Sequence, residues 1–253
     1  MPSPEKQEMS LWDHLEELRS AIMKSVMALA AGTSLGFLAA DRIFSLLLLP
    51  VKRLGGKVEM IYSAPTDAFM VQFKMATIAG CALASPLVLY FLAQFIAPAL
   101  HLRERRTARI VILAGSASFL LGMLLGYGML FLVLPMMISF GHESVRQMWP
   151  LTTYVNFCVR TILACGLILE LPVIMAGLAS IGFLRAEWLT KMRPYAYVAI
   201  FVLVVIVSPS PDVPSQLLMT LPVWGLYEIG ILLVRQQQRW RAQKQAAEPA
   251  SPE

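Results

Sequence analysis

The chain has 253 residues, of which 57% are hydrophobic and only 15% are charged, and its mean hydropathy is +0.65. Soluble domains carry about a quarter charged residues, so this composition excludes an ordinary soluble protein as well as disordered chains and disulfide scaffolds. The net charge of +5 does not indicate nucleic-acid binding, because the basic residues lie in short segments between apolar runs, where membrane orientation accounts for them.

The first 20 residues are polar and acidic, and they lack the basic start and cleavage site of a signal peptide, so we expect them to be retained. They lead into an amphipathic helix with one apolar stripe, formed by Leu11, Leu15, Leu18 and Ile22. Its remaining face is acidic, whereas helices that anchor to anionic lipid are rich in Lys and Arg. This face therefore suits a basic ligand.

Six apolar runs follow, and a helix needs about 20 residues to cross the hydrocarbon. They predict spans at about 20–40, 75–100, 110–140, 154–180, 195–208 and 216–234. The last two are short for a full crossing. We therefore expect an all-α polytopic membrane protein with one six-span domain over residues 1–234 and a flexible tail over 235–253.

Lysine and arginine counts orient these spans, because loops on the cytoplasmic side keep the positive residues. The segments on the side of the N-terminus hold 14 of them and the opposite segments hold 6. Both termini are therefore expected in the cytoplasm. On the outer side, Ile43–Val51 is too short to span and contains Pro50, which predicts a helix lying along the interface.

Two charges, Arg160 and Glu170, fall inside the fourth apolar run, where charges are costly and commonly functional. Glu170 lies midway along the fourth run and is followed by Pro172, whose ring frees a carbonyl one turn earlier. It is either a functional acid or a protonated packing residue. Arg160 is too far along the same helix to pair with it and is expected to snorkel outward, as Glu228 is expected to do at the inner side.

The third span carries Ser118, Gly122 and Gly126 at every fourth position, a pattern that predicts close helix contact. A second acid, Glu104, lies among arginines in the loop between spans two and three. Together with the acidic first helix it could hold planar guanidinium groups through bidentate hydrogen bonds. No hydrolase, phosphate-binding or metal-ligand motif is present in the sequence, so we expect neither an enzyme nor a cofactor.

Six motifs in order resemble, over about residues 11–234, the TatC component of the twin-arginine (Sec-independent) protein translocase. They are His14-Leu15-Glu16-Glu17-Leu18-Arg19, Phe95-Ile96-Ala97-Pro98-Ala99-Leu100 followed by Glu104-Arg105-Arg106, Glu170-Leu171-Pro172, Arg193-Pro194-Tyr195, the proline-rich stretch ending at Gln216, and Tyr227-Glu228-Ile229-Gly230. Each motif is weak alone. Their order across nearly the whole chain makes the resemblance specific.

The resemblance implies recognition of folded export substrates through the paired arginines of their signal peptides. Glu17 and Glu104 would bind the arginines, and Arg19, Phe95 and Arg105 would share that surface. Further positions match those that matter in the family: the outer-loop residues Pro50 and Asp212, the intramembrane acid Glu170, and Ser208 and Gln216, where the single-span partners TatA and TatB are thought to dock.

The resemblance further implies a multi-pass protein of the bacterial cytoplasmic membrane, assembled as an oligomer and driven by the proton gradient without nucleotide. A proton-coupled small-solute transporter with Glu170 as the proton carrier is the alternative, since an intramembrane acid commonly marks a proton relay.

Overall fold

The computed structural model describes residues 11–56, 58–96, 105–142, 145–180, 184–207 and 213–247. Eight α-helices lie in these ranges: α1 (Leu11–Gly36), α2 (Ala40–Lys52), α3 (Asp67–Ile96), α4 (Arg105–Ser139), α5 (Leu151–Ser180), α6 (Ala186–Lys191), α7 (Arg193–Val207) and α8 (Val213–Ala247). A 3-10 turn, Phe37–Ala39, joins α1 to α2. Two four-residue strands, β1 (Val58–Ile61) and β2 (Gln147–Pro150), complete the described elements.

Four stretches of the described chain are helical, long and apolar enough to cross a membrane: Leu15–Lys52, Asp67–Phe95, Ile112–Ser139 and Leu151–Ala179. They confirm the helical membrane class and match four of the six predicted spans. The fifth, α7, has 15 residues. At 1.5 Å per residue it is about 22 Å long, less than the hydrocarbon thickness of about 30 Å.

The first helix packs closely and antiparallel on α3 through small residues. A Cβ built on Gly32 would lie 2.7 Å from the carbonyl oxygen of Gly80, and one built on Gly36 would overlap the carbonyl oxygen of Ala76. Moving four residues forward along α1 thus corresponds to moving four residues back along α3. Buried Ala21 and Ser25 extend the same face of α1 toward its start.

A second close pair joins α4 to α5. A Cβ on Gly122 would lie 2.5 Å from the carbonyl oxygen of Cys165, and one on Gly126 would lie 2.9 Å from the Cα of Ile162. The Ser118 hydroxyl donates a hydrogen bond of 2.7 Å to the carbonyl of Leu169. The close helix contact predicted from Ser118, Gly122 and Gly126 is therefore confirmed.

The two strands form a small parallel pair, in register from Val58 opposite Gln147 to Ile61 opposite Pro150. Arg146 forms an ion pair with Glu59 beside it. These strands could not be predicted from the sequence, because four residues are too few to show an alternating pattern. The pair links the segment after α2 to the segment before α5.

The predicted helix around Ile43–Val51 is present as α2, and two tyrosines attach it to the bundle. The hydroxyl of Tyr127 donates to the carbonyl of Leu46 at 2.8 Å, and that of Tyr154 donates to the carbonyl of Leu47 at 2.5 Å. Pro50 is buried in the last turn of α2.

The last helix extends further than the sequence analysis expected. The polar composition predicts a flexible tail over residues 235–253, but residues 235–247 continue α8. Glutamine, alanine and arginine are good helix formers, so a helix that begins in the apolar run continues through this polar segment. Residues 248–253 lie outside the described residues.

We predict that Gly122→Ala will destabilise the protein, because the added methyl group meets the backbone of α5, and overpacking of this kind costs about 1–3 kcal/mol. Gly128→Ala, on the same helix with no atom within 4 Å of the added Cβ, is the matched control. It should leave stability unchanged or raise it through helix propensity. Thermal unfolding of the detergent-solubilised variants measures both, and equal midpoints would contradict the packing role.

Candidate functional site

The acidic residues at the start of α1 occupy two different faces of the helix. Glu17 lies one turn before the buried Ala21 and is half-buried, so it is on the face that packs on α3. Glu16 is exposed and pairs with Arg19, whose Nη1 lies 3.3 Å from its Oε1. The two adjacent carboxylates therefore have different surroundings.

Part of the predicted apolar stripe of α1 is uncovered. Leu15 and Ile22 are 55% and 49% exposed. Leu18 is half-buried, and the side chain of Leu11 is not among those described. The exposed apolar side chains lie in a helix that is otherwise packed on α3, so this stripe is available to lipid or to another chain.

The packing register brings Glu17 to the end of α3. Gly32 lies opposite Gly80 and Gly36 opposite Ala76, and continuing that antiparallel register back along α1 places Glu17 at the level of Phe95. Phe95 is half-buried in the last turn of α3. Two of the predicted recognition residues therefore share one end of the bundle.

The start of α4 lies at this same end. Gly115 of α4 is against Leu89 of α3, with 3.1 Å between a Cβ built on the glycine and the leucine Cδ1. Ten residues before Gly115, α4 begins at Arg105, whose side chain is not among those described. Glu104 lies outside the described residues. We call the ends of α1, α3 and α4 that carry Glu17, Phe95 and Arg105 the acidic end.

Glu170 lies where α4 and α5 pack together and is only 5% exposed. A Cβ on Gly115 would lie 3.3 Å from its Oε2, so a glycine provides the room for this carboxyl group. Its Oε1 is buried and has no hydrogen-bond partner among the described residues. Pro172, two residues on, lies inside α5 and removes one helical hydrogen bond.

The residues predicted near the last hairpin are only partly described. Gln216 is buried in the first turn of α8, and its carbonyl accepts a hydrogen bond of 2.7 Å from the hydroxyl of Thr220. Ser208 and Asp212 lie outside the described residues. Of these three hairpin positions, the structure therefore describes Gln216 alone.

One polar cluster was missed by the sequence analysis, which expected Glu228 to snorkel. Glu228 is 34% exposed in its side chain, accepts a hydrogen bond of 2.5 Å from Arg193 Nη2 through Oε2, and accepts another of 2.5 Å from the hydroxyl of Tyr197 through Oε1. The indole of Trp224 donates to the carbonyl of Tyr197 at 3.2 Å. Opposite charges at matching ends of the last two apolar runs were the signal that could have revealed this pair.

The fold and these polar clusters define a class: a multi-pass membrane protein whose apolar helices carry acids at one end and within their packed interior. The family model described as "Sec-independent protein translocase protein (TatC)" matches residues 13–222. The chain belongs to the TatC family and is a component of the twin-arginine protein translocase.

Similar proteins with this name cover nearly the whole chain. TatC of Carboxydothermus hydrogenoformans is 34% identical over 232 residues, which is 91% of this chain and 95% of that protein. TatC of Aquifex aeolicus is 32% identical over 245 residues, which is 94% of this chain and 100% of that protein. The crystal structure of the twin arginine translocase receptor TatC in DDM is 32% identical, with a TM-score of 0.80 over 87% of this chain and 98% of that one.

We predict that Arg193 and Glu228 are coupled in stability by about 1–2 kcal/mol in a double-mutant cycle of Arg193→Gln and Glu228→Gln, since both side chains are partly shielded and hydrogen-bonded. The matched control is Arg146 with Glu59, whose side chains are 74% and 47% exposed and whose coupling should be at most about 1 kcal/mol. Unfolding midpoints of the variants give both values. Equal coupling in the two cycles would contradict the idea that the contact of Arg193 with Glu228 holds α7 against α8.

Proposed function

We propose that this chain is the receptor of the translocase, which binds the Arg-Arg signal peptide of folded cargo proteins and nucleates the export complex. The observation that carries the proposal is the placement of Glu17 on the α3-facing side of α1, at the level of Phe95. The family assignment supports it, since the crystal structure described above is named as a twin arginine translocase receptor.

Carboxylates at the acidic end suit this ligand chemically. A guanidinium group presents a planar fork of donors that matches a carboxylate in a bidentate pair. Two adjacent arginines need two acceptors, which Glu17 and Glu104 would supply from separate elements. Phe95 would contribute an aromatic face for a guanidinium or for the apolar part of the peptide, while Arg19 and Arg105 complete the surface.

The remaining proposed residues concern assembly. Ser208 and Gln216 would form the docking position for the single-span proteins TatA and TatB, and Pro50 and Asp212 would maintain the outer loops. Copies of this chain would assemble with these partners into an oligomer driven by the proton-motive force. The family assignment supports this part of the proposal.

We also propose that the protein lies in the bacterial cytoplasmic membrane with six spans and both termini inside. The unequal distribution of Lys and Arg supports this orientation. α7 and α8 would be the fifth and sixth spans. The alternative of a small-solute transporter using Glu170 is not favoured, because the relatives that cover nearly the whole chain are named as protein translocase components.

We expect an Arg-Arg signal peptide to bind the solubilised protein at least about tenfold more tightly than its Lys-Lys version, since lysine cannot form the bidentate pair. Fluorescence anisotropy of a labelled peptide measures this difference. Equal affinities would contradict recognition by paired carboxylates.

Glu17→Gln should weaken the Arg-Arg peptide about tenfold. Glu16→Gln is the matched control, because Glu16 neighbours Glu17 but lies on the exposed face beside Arg19, and it should change affinity by less than about twofold. Combining Glu17→Gln with Glu104→Gln should give a non-additive loss if both acids hold one ligand. A fully additive loss would assign the two acids to separate sites.

The proposed orientation predicts opposite labelling of two exposed positions, Val145 and Gln243, when each is replaced by cysteine in a variant whose native cysteines are replaced by alanine. A membrane-impermeant maleimide applied to intact spheroplasts should label Val145→Cys at once. It should label Gln243→Cys only after the membrane is opened. The reverse pattern would invert the topology.

A further inference from the structure

A cavity of about 360 Å³ lies at the β2 end of α4 and α5, remote in the fold from the acidic end. Its polar lining comes from Thr153, Asn156 and Arg160 of α5, and its apolar lining includes Met137 of α4, Trp149 of β2 and Phe157 of α5. This volume is within the range of small-ligand sites, which combine apolar walls with a few polar groups.

Arg160 is the unusual member of this lining. It is exposed, it lies inside the span Leu151–Ala179, and it joins none of the ion pairs or hydrogen bonds between described residues. An arginine at this depth in a bilayer is costly unless it reaches a polar partner. The guanidinium therefore needs a polar partner, and the cavity that it lines is open to one.

The helix geometry indicates where that partner lies. Arg160 is nine residues after Leu151, so its Cα is about 14 Å along α5 from the helix start. Side chains on a helix lean toward its N-terminus, which directs Arg160 toward Asn156 and Thr153, one and two turns closer to the interface. Trp149 lies beyond them, at a position where aromatic residues commonly meet lipid headgroups.

These donors form a line from the interface down to the guanidinium, and a bilayer supplies a matching acceptor in its phosphates. We propose that the cavity binds an anionic phospholipid of the leaflet at the β2 end. Arg160 holds the phosphate as a bidentate partner, while Asn156 and Thr153 donate further hydrogen bonds. One acyl chain lies along Met137 and Phe157. This inference is independent of signal-peptide recognition, which takes place at the other end of the bundle.

Charge complementarity favours an anionic lipid over a zwitterionic one. The described lining of the cavity contains one cation and no carboxylate, so an ammonium headgroup finds no partner there. Glu59, which lies in the neighbouring strand β1, is already paired with Arg146.

The test uses the full-length protein in nanodiscs with a phosphatidylglycerol that carries a photoreactive diazirine in its acyl chain. Mass spectrometry of the digested protein reads labelling of residues 134–137 and 149–160. Arg160→Gln should reduce this labelling about tenfold, and Thr153→Val, which is matched in shape, should reduce it by a smaller factor. Arg42→Gln, which removes an exposed arginine on α2, is the control and should leave labelling unchanged.

Two further arms identify the ligand. Phosphatidylcholine with the same photoreactive chain should label the site weakly, and millimolar inorganic phosphate should not compete. Equal labelling in wild type and Arg160→Gln, equal labelling by the two lipids, or competition by free phosphate would each overturn the proposal.

Discussion

Close backbone contact between antiparallel helices is the constraint on which the rest of the molecule depends. Within a bilayer the hydrophobic effect does not drive helices together, so packing and polar contacts must do so. Here α1 approaches α3 and α4 approaches α5 at glycines where a side chain would overlap the partner's backbone. These two pairs set the register of the bundle, and the register in turn determines which side chains meet at each end.

The polar residues of the protein are distributed according to that register. Glu17 is brought to the level of Phe95 because α1 and α3 are locked in matched steps, and Glu170 finds room because Gly115 faces it from α4. The last two helices, α7 and α8, have no comparable glycine contact with each other among the described residues. The contacts of Glu228 with Arg193 and Tyr197 join them instead. Close packing at glycines therefore holds α1 on α3 and α4 on α5, whereas polar side-chain contacts hold α7 on α8.

The sequence revealed the long helices because apolar runs of sufficient length have one stable form in lipid, the helix. It also revealed the α4–α5 contact, since small residues at every fourth position make a recognisable stripe. Gly32 and Gly36 of α1 have the same four-residue spacing, but their partner on α3, Gly80, is identified only once the two helices are placed side by side. The Glu228 cluster was missed because it depends on segments far apart in the chain, and the strands were missed because four residues are too few to show an alternating pattern.

The candidate site, too, could be predicted from the sequence only in part. The chemistry of the acidic face of α1 could be read directly from residue types, and the individual roles came from the family resemblance. What the sequence could not provide was the difference between Glu16 and Glu17. Adjacent residues point to different sides of a helix, and only the packing of Ala21 and Ser25 on α3 identifies which side faces the neighbouring helix.

The parallel strands have a consequence for biogenesis. β1 lies before α3 and β2 lies after α4, so their ladder closes a chain segment that contains two complete membrane helices. The ladder cannot form until both helices have been threaded through the bilayer and their far ends returned to the same surface. A chain that ended before β2 would therefore leave β1 as an unpaired edge.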